Sequence, residues 1–331
     1  MRNRRVLVLL AAVFTAAAWP LVAQTTTAKK NAYRAPRTSW GAPDIHGDYT
    51  NKDEANTPLE RPPQLAGKDA SAFTEADLAQ LAKERSAQAQ QIAGGIGGSE
   101  TGAGPTHWYD HLAAKGSRPW FISDPTDGRI PAMTPQALRR EAAVALLNDA
   151  RNGEGRADSP DDRSMYDRCI TRGLPGSMMP AIYGNAYQIV QTADAIAIRY
   201  EMIHETRIIP LDGRPHARSG IHLLMGDARG RFDGDTLVVE TTNFTNRTHF
   251  GYNNRYNSDR QKIVERFTPI APGKLDWQVT IDDPEVWTRP WTFAMTLTKD
   301  DSQRIFEYAC HEGNYGLRDI LSGARAEDSH R

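Results

Sequence analysis

Between Ala186 and Cys310 apolar and polar residues alternate in short runs. Leu275, Trp277, Val279 and Ile281 interleave with Asp276, Gln278 and Thr280, and Phe293, Met295 and Leu297 repeat the pattern. A period of two puts alternate side chains on opposite faces, the mark of a half-buried antiparallel strand. Roughly nine segments read this way: Ala186–Gln191, Ala195–Ile203, Arg207–Leu211, His222–Phe232, Asp235–Thr242, Gln261–Thr268, Lys274–Ile281, Trp291–Thr298 and Arg304–Cys310. Turn residues such as Thr192-Ala193-Asp194, Asp233-Gly234, Pro272-Gly273 and Lys299-Asp300-Asp301 separate them. Connections this short make neighbours antiparallel, and a sheet of about eight or more such strands removes its edges by closing. The expected fold is mainly β, a closed or nearly closed antiparallel β-barrel over residues 180–327, with a two-sheet sandwich as the rival.

The N-terminal part reads differently. Residues 24–67 are polar and punctuated by Pro36, Pro43, Pro58, Pro62 and Pro63, as in an extended arm, with Asp44–Tyr49 a short strand or turn within it. Residues 68–179 form a helical cap region. One helix is expected from Thr74, capping Glu75-Ala76-Asp77, to Ile92, and a second over Pro135–Ala150 with Thr134 as cap. A helical turn around Arg163–Ile170 presents Cys169. The glycine-rich run Gly94–Gly104 lacks the Lys-Ser/Thr ending and the strand-to-helix setting of a phosphate cradle, and reads as a loop.

Charge changes the picture only at the start. The chain has 331 residues, 40 Lys+Arg and 41 Asp+Glu, a net charge of −1, which argues against a polybasic nucleic-acid binder. Three of those cations, Arg2, Arg4 and Arg5, precede the apolar run Val6–Ala18, and Leu21-Val22-Ala23 resembles a cleavage site. Met1–Ala23 is therefore expected to be a signal peptide for export to the periplasm, cut after Ala23 or Ala18; its removal takes 40 cations to 37 against 41 anions. No membrane insertion is expected after that removal. In an oxidising compartment the only two cysteines, Cys169 and Cys310, are expected to form a disulfide rather than a reactive thiol.

A small barrel with a hollow mouth suits an apolar ligand. Ile196, Ile198, Tyr200 and Met202 share one strand face and His204 continues it, so an imidazole is expected at the end of an apolar wall, with Arg207 close by. The alternative is a rim histidine bonded to a neighbouring backbone. Arg214 and His216 either line an anion site or pair with Asp227 or Asp235. No local metal motif is present, and no metal or other cofactor is expected, although His204, His216 and His311 could assemble one in space. The aromatics Tyr183, Tyr187, Trp287 and Trp291, and the segment His107-Trp108-Tyr109-Asp110-His111, offer stacking surfaces or structural filling. No Gly-x-Ser-x-Gly elbow nominates a serine.

Several stretches together carry a resemblance: Arg207-Ile-Ile-Pro-Leu-Asp-Gly-Arg-Pro-His216, Gly234-Asp-Thr-Leu-Val-Val-Glu-Thr-Thr-Asn-Phe244, Ile281-Asp-Asp-Pro with Trp287-Thr-Arg-Pro-Trp291, and Tyr308-Ala-Cys-His-Glu-Gly-Asn-Tyr315. They resemble a large family of exported bacterial proteins frequent in sphingomonads and acidobacteria. The resemblance covers residues 120–327 and implies cofactor-independent lyase chemistry on lignin-derived aromatic dimers, including decarboxylation. The expected function is accordingly a periplasmic decarboxylase-like lyase for a small aromatic carboxylated substrate. His204 would transfer the proton, with Tyr200, His216 and His311 assisting; Arg207 or Arg289, Trp287, Tyr187 and Glu312 would bind substrate. Two other readings stand beside it: a lipocalin-like carrier of the same ligands, and a metal-dependent hydrolase. The expected partner is a small aromatic or apolar molecule, with no nucleic acid.

Overall fold

The computed structural model describes residues 33–96, 109–149, 157–250, 255–302 and 304–329, all within a unit spanning Tyr33–Arg331. The expected signal peptide, the tail of the Gly94–Gly104 run and His107-Trp108 lie outside the described residues. Twelve strands follow in chain order: β1 (Gly47–Thr50), β2 (Ile122–Asp124), β3 (Ala186–Gln191), β4 (Ala195–Tyr200), β5 (Thr206–Pro210), β6 (Asp227–Asp233), β7 (Thr236–Thr242), β8 (His249–Phe250), β9 (Arg255–Tyr256), β10 (Lys262–Ala271), β11 (Lys274–Asp282) and β12 (Trp291–Lys299). Three helices accompany them: α1 (Glu75–Ile96), α2 (Pro135–Asp149) and α3 (Tyr315–Asp328). No helix among the described residues is long and apolar enough to cross a membrane.

Nine strands form one nearly closed antiparallel barrel in the order β5-β4-β3-β1-β12-β11-β10-β7-β6, while β8 and β9 make a separate two-residue ribbon. The hairpins β3–β4, β6–β7 and β10–β11 sit where the turn residues put them, with Gly234 and Gly273 at φ of 60° and 66°. The ninth wall strand differs from expectation. Arg304–Cys310 joins no ladder, and β1, from the polar arm, fills the place between β3 and β12. The other end of the same β12 edge is taken by β2, from the cap region. Gly47 opens β1 at φ 144°, a backbone conformation that favours glycine, and the Lys299 side chain lies against it.

Every neighbouring pair along the nine strands is antiparallel, so an odd count leaves β5 and β6 parallel where the barrel should close. No ladder joins them among the described residues; side chains close the seam instead. A Cβ on Gly230 of β6 would come within 2.8 Å of Ile209 Cγ2 and Leu211 Cδ2, which shows how tightly the seam packs.

The barrel interior is filled, which corrects the expectation of a hollow mouth. Phe267 stacks on Trp277 at 6.2 Å between centroids, Trp277 meets Phe293 edge-on at 5.6 Å, and Trp291 lies 6.0 Å from Phe293. Tyr187 and Tyr200 meet edge-on at 6.0 Å. Ile196, Ile198, Ile209, Leu237, Val239 and Ile263 complete this core.

α1 and α2 are capped as expected, whereas residues 315–328, read as part of the barrel, form α3 with Asn314 as cap. Thr74 Oγ1 accepts from Asp77 N at 3.2 Å and the Asp77 carboxylate accepts from Thr74 N at 2.9 Å; Thr134 Oγ1 accepts from Ala137 N at 3.1 Å. α1 runs on through Gly94-Gly95 to Ile96, because glycine disfavours a helix by only about 1 kcal/mol per residue and does not forbid it.

Below β1, Glu54 is buried and its Oε2 accepts from Ser117 N at 3.0 Å. Burial raises its carboxyl above the ordinary value, against the Ser117 hydrogen bonds and Arg118. A carboxyl raised in this way supports the fold below its unfolded pKa and loses that support as pH rises through the folded one. Glu54→Gln is expected to match the parent near about pH 4 and to exceed it in urea midpoint above neutrality. Glu201 and Glu205, also raised by burial, keep the remainder of the slope. A variant with the parent's full pH profile would assign the whole effect to those two.

Candidate functional site

A cation and a carboxylate meet in the middle of the aromatic core. On β5 the alternation that sends Ile209 inward also sends Arg207 inward; on β10, Glu265 holds the inward position between Ile263 and Phe267. Arg207 Nη1 donates to Glu265 Oε2 at 2.7 Å, with side chains 4% and 0% exposed. The other oxygen, Glu265 Oε1, accepts from Trp277 Nε1 at 3.1 Å. Burial pulls the Arg207 guanidinium down, but Glu265, followed by Tyr200 and Glu205, pushes it above its ordinary value, so it stays charged.

This cluster leaves polar atoms over. Arg207 Nε and Nη2 and the Tyr200 hydroxyl are buried and meet no hydrogen-bond partner among the described residues. Thr241 Oγ1 on β7 is in the same position. Nε and Nη2 form the side-on edge of a guanidinium, whose two parallel N–H bonds match the two oxygens of a carboxylate. Burial, opposed by Arg207, raises the Tyr200 phenol, which therefore remains a hydrogen-bond donor.

Glu205 completes the group. It lies two residues before Arg207 with extended backbone (φ −69°, ψ 145°), so both belong to one face. Its Oε2 accepts from the buried Thr171 hydroxyl at 2.6 Å. Burial raises its carboxyl, with Thr171 and Arg207 opposing.

The other expected residues are scattered. His204 does not extend the apolar wall of β4. Ile203 and His204 adopt φ of 63° and 47°, which breaks the alternation after Tyr200 and turns the imidazole outward, where Nδ1 meets the Tyr308 carbonyl at 2.9 Å. This is the rim histidine of the alternative reading. His216 faces Asp227, one of the two carboxylates expected for it, and also Glu240, each at 3.3 Å, while Asp235 meets Arg37 instead. His311, Glu312 and Arg289 are exposed on loops. Trp287 and Tyr187 are buried core residues, 5% and 1% exposed, rather than open stacking surfaces, because alternation and the Trp287–Trp291 edge contact draw them inward. Among the described residues no three His, Cys, Asp or Glu side chains are placed to hold a metal ion. Cys169 and Cys310 are bonded, with Cα atoms 5.8 Å apart.

Glu265, Glu205 and Thr171 were missed by sequence reasoning. A signal for Glu265 existed: in Ile263-Val-Glu-Arg-Phe267 an acidic residue shares the period-two face of two core apolars. An inward carboxylate on one strand and an inward arginine on another call for each other.

No family model matches the sequence, and no curated protein matches it. Among solved structures, a crystal structure of a point mutant of the fluorescent protein UnaG is 13% identical, over 41% of this chain and 85% of that one, with a TM-score of 0.22. A likeness that distant carries no argument, and the barrel rests on its own strand ladders.

Proposed function

We propose that the protein is an exported, cofactor-independent lyase of the decarboxylase type, whose small aromatic substrate docks its carboxylate on the Nε–Nη2 edge of Arg207. The single observation behind this reading is that buried, charged edge with no protein partner among the described residues, beside an equally unpartnered Tyr200 hydroxyl. A buried guanidinium donor set of this kind is costly unless something uses it. Trp277, Phe267 and Phe293 pack on one another beside this cluster, so an aromatic ligand reaches the Arg207 edge only where the β5–β6 seam opens. Entry through the β5–β6 seam breaks side-chain contacts at Gly230 and no ladder.

Glu265 matters to the chemistry as well as to the fold. By sharing the positive charge it keeps Arg207 from over-stabilising the ground-state carboxylate, which must lose its charge as carbon dioxide forms. In a substrate with an aryl ether β to the carboxylate, the carbon–carboxylate bond breaks, its electron pair forms a double bond, and the aryl oxygen leaves as a phenolate that takes up one proton from solvent. Tyr200 would hydrogen-bond the departing oxygen. The reaction is redox-neutral.

The test is mass-spectrometric profiling of phenolic dimers and aromatic acids incubated with the mature protein. A product lighter by carbon dioxide, made by the parent and by His204→Ala and reduced at least about 100-fold in Arg207→Lys and Tyr200→Phe, is the expected result. Retention of a compound without a new product would make the protein a carrier. Loss of turnover in His204→Ala alone would return the proton-transfer role to the exposed histidine.

A further inference from the structure

We propose that Glu205 is the proton-carrying partner of the Arg207 site, so that a carboxylate ligand binds together with one proton taken up on Glu205. The inference rests on the reading of Arg207 as a carboxylate anchor and adds to it a second residue and a pH law.

The geometry is specific. Glu205 and Arg207 stand two apart on one face at the start of β5. The Thr171 hydroxyl, 2% exposed, accepts from Gly173 N at 2.9 Å and directs its own proton to Glu205 Oε2 at 2.6 Å. Its remaining neighbour is Met225 Sδ at 3.4 Å, which is no competitor for that proton. Oε2 is therefore committed as an acceptor, and Oε1 is the oxygen that can carry a proton.

Charge arithmetic then decides the protonation state. The groups facing Glu205 are Thr171 from the loop before β3 and Arg207 from its own strand, with Glu265 of β10 and Tyr200 of β4 beyond the guanidinium. Only Arg207 is a cation. With Glu205 ionised, an incoming carboxylate would be the third anion around one guanidinium in a dry site. With Glu205 protonated it is the second, and the neutral acid becomes a hydrogen-bond donor to the ligand. Like charges this close do not stay ionised together when burial already disfavours them. Glu205 is half-buried and burial already pushes its carboxyl upward, so the proton has a ready seat.

The experiment is calorimetric titration of benzoate, cinnamate and phenylacetate into the full chain from about pH 5 to pH 8, in two buffers of different ionisation heat. The parent is expected to bind at least one of them with uptake of one proton and to lose affinity about tenfold per pH unit above the Glu205 titration. Glu205→Gln is expected to bind that ligand with the parent's low-pH affinity at every pH and with no proton uptake. Thr171→Val, which removes a donor that favours the ionised form, is expected to move the parent's midpoint to higher pH while low-pH affinity stays. Binding without proton uptake in the parent, or uptake that persists in Glu205→Gln, overturns this inference and leaves the Arg207 anchor standing. Binding of none of the three acids at any pH overturns the anchor itself.

Discussion

Arg207→Met is expected to destabilise the protein by about 3–5 kcal/mol, and Arg207→Met/Glu265→Gln to recover most of that loss. The single change leaves the Glu265 carboxylate, 0% exposed, without its cation in the aromatic core. Only Trp277 Nε1 would still serve it. An uncompensated buried charge either persists at high cost or neutralises by taking a proton, and both erode the fold at neutral pH. In the double variant the introduced glutamine keeps an oxygen for Trp277 Nε1, and the introduced methionine fills the volume with apolar atoms. Urea unfolding at pH 7 and pH 5 separates the cases, because the single variant should regain part of its loss at the lower pH. A single-variant cost below about 1 kcal/mol would mean that water reaches the pair and screens it, and Arg207 would then be no dry anchor.

Cys169→Ser/Cys310→Ser is expected to cost about 2–5 kcal/mol, since the bond closes a loop of 141 residues. That loop holds every barrel strand after β2, while the segment after Cys310 joins no ladder. Other contacts hold that end as well. Asn314 caps α3 through Leu317 N and donates to Asp167 O at 2.8 Å, Tyr308 stacks on Tyr183 at 6.5 Å, and His204 bonds the Tyr308 carbonyl. Without the disulfide, non-covalent contacts such as these must repay the ordering of residues 304–329. The expected sequence of events under limited proteolysis is cleavage within 304–329 first, with the barrel cut later. Simultaneous loss of barrel and α3 would instead make the bond part of the barrel's own cooperativity.

The barrel strands with strict alternation were legible because a period of two is a local property: β11 and β12 run as written in Leu275–Ile281 and Phe293–Leu297. The tight turns were legible for the same reason, since Asp-Gly and Pro-Gly specify backbone shape over two residues. β1 was harder. Four residues in a proline-rich arm carry too little pattern to announce a wall strand, and only the free edges of β3 and β12 draw them in. Strict alternation would extend to His204, four residues past Tyr200, where β4 ends. The hairpin between β4 and β5 needs Ile203 and His204 at positive φ, which a β-branched isoleucine does not advertise.

The sequence by itself determined the mainly β fold, the hairpins and the pairing of the only two cysteines, all of which follow from neighbours in the chain or from counting. The tertiary structure alone decided which side chains meet inside. Arg207 and Glu265 are 58 residues apart and lie on strands that are not adjacent in the barrel. Their contact depends on the number of strands and on how the barrel closes, and no local pattern encodes either. Nine antiparallel strands leave a parallel seam beside β5, the core fills with aromatics, and one guanidinium edge is left facing inward with nothing from the described chain to hold.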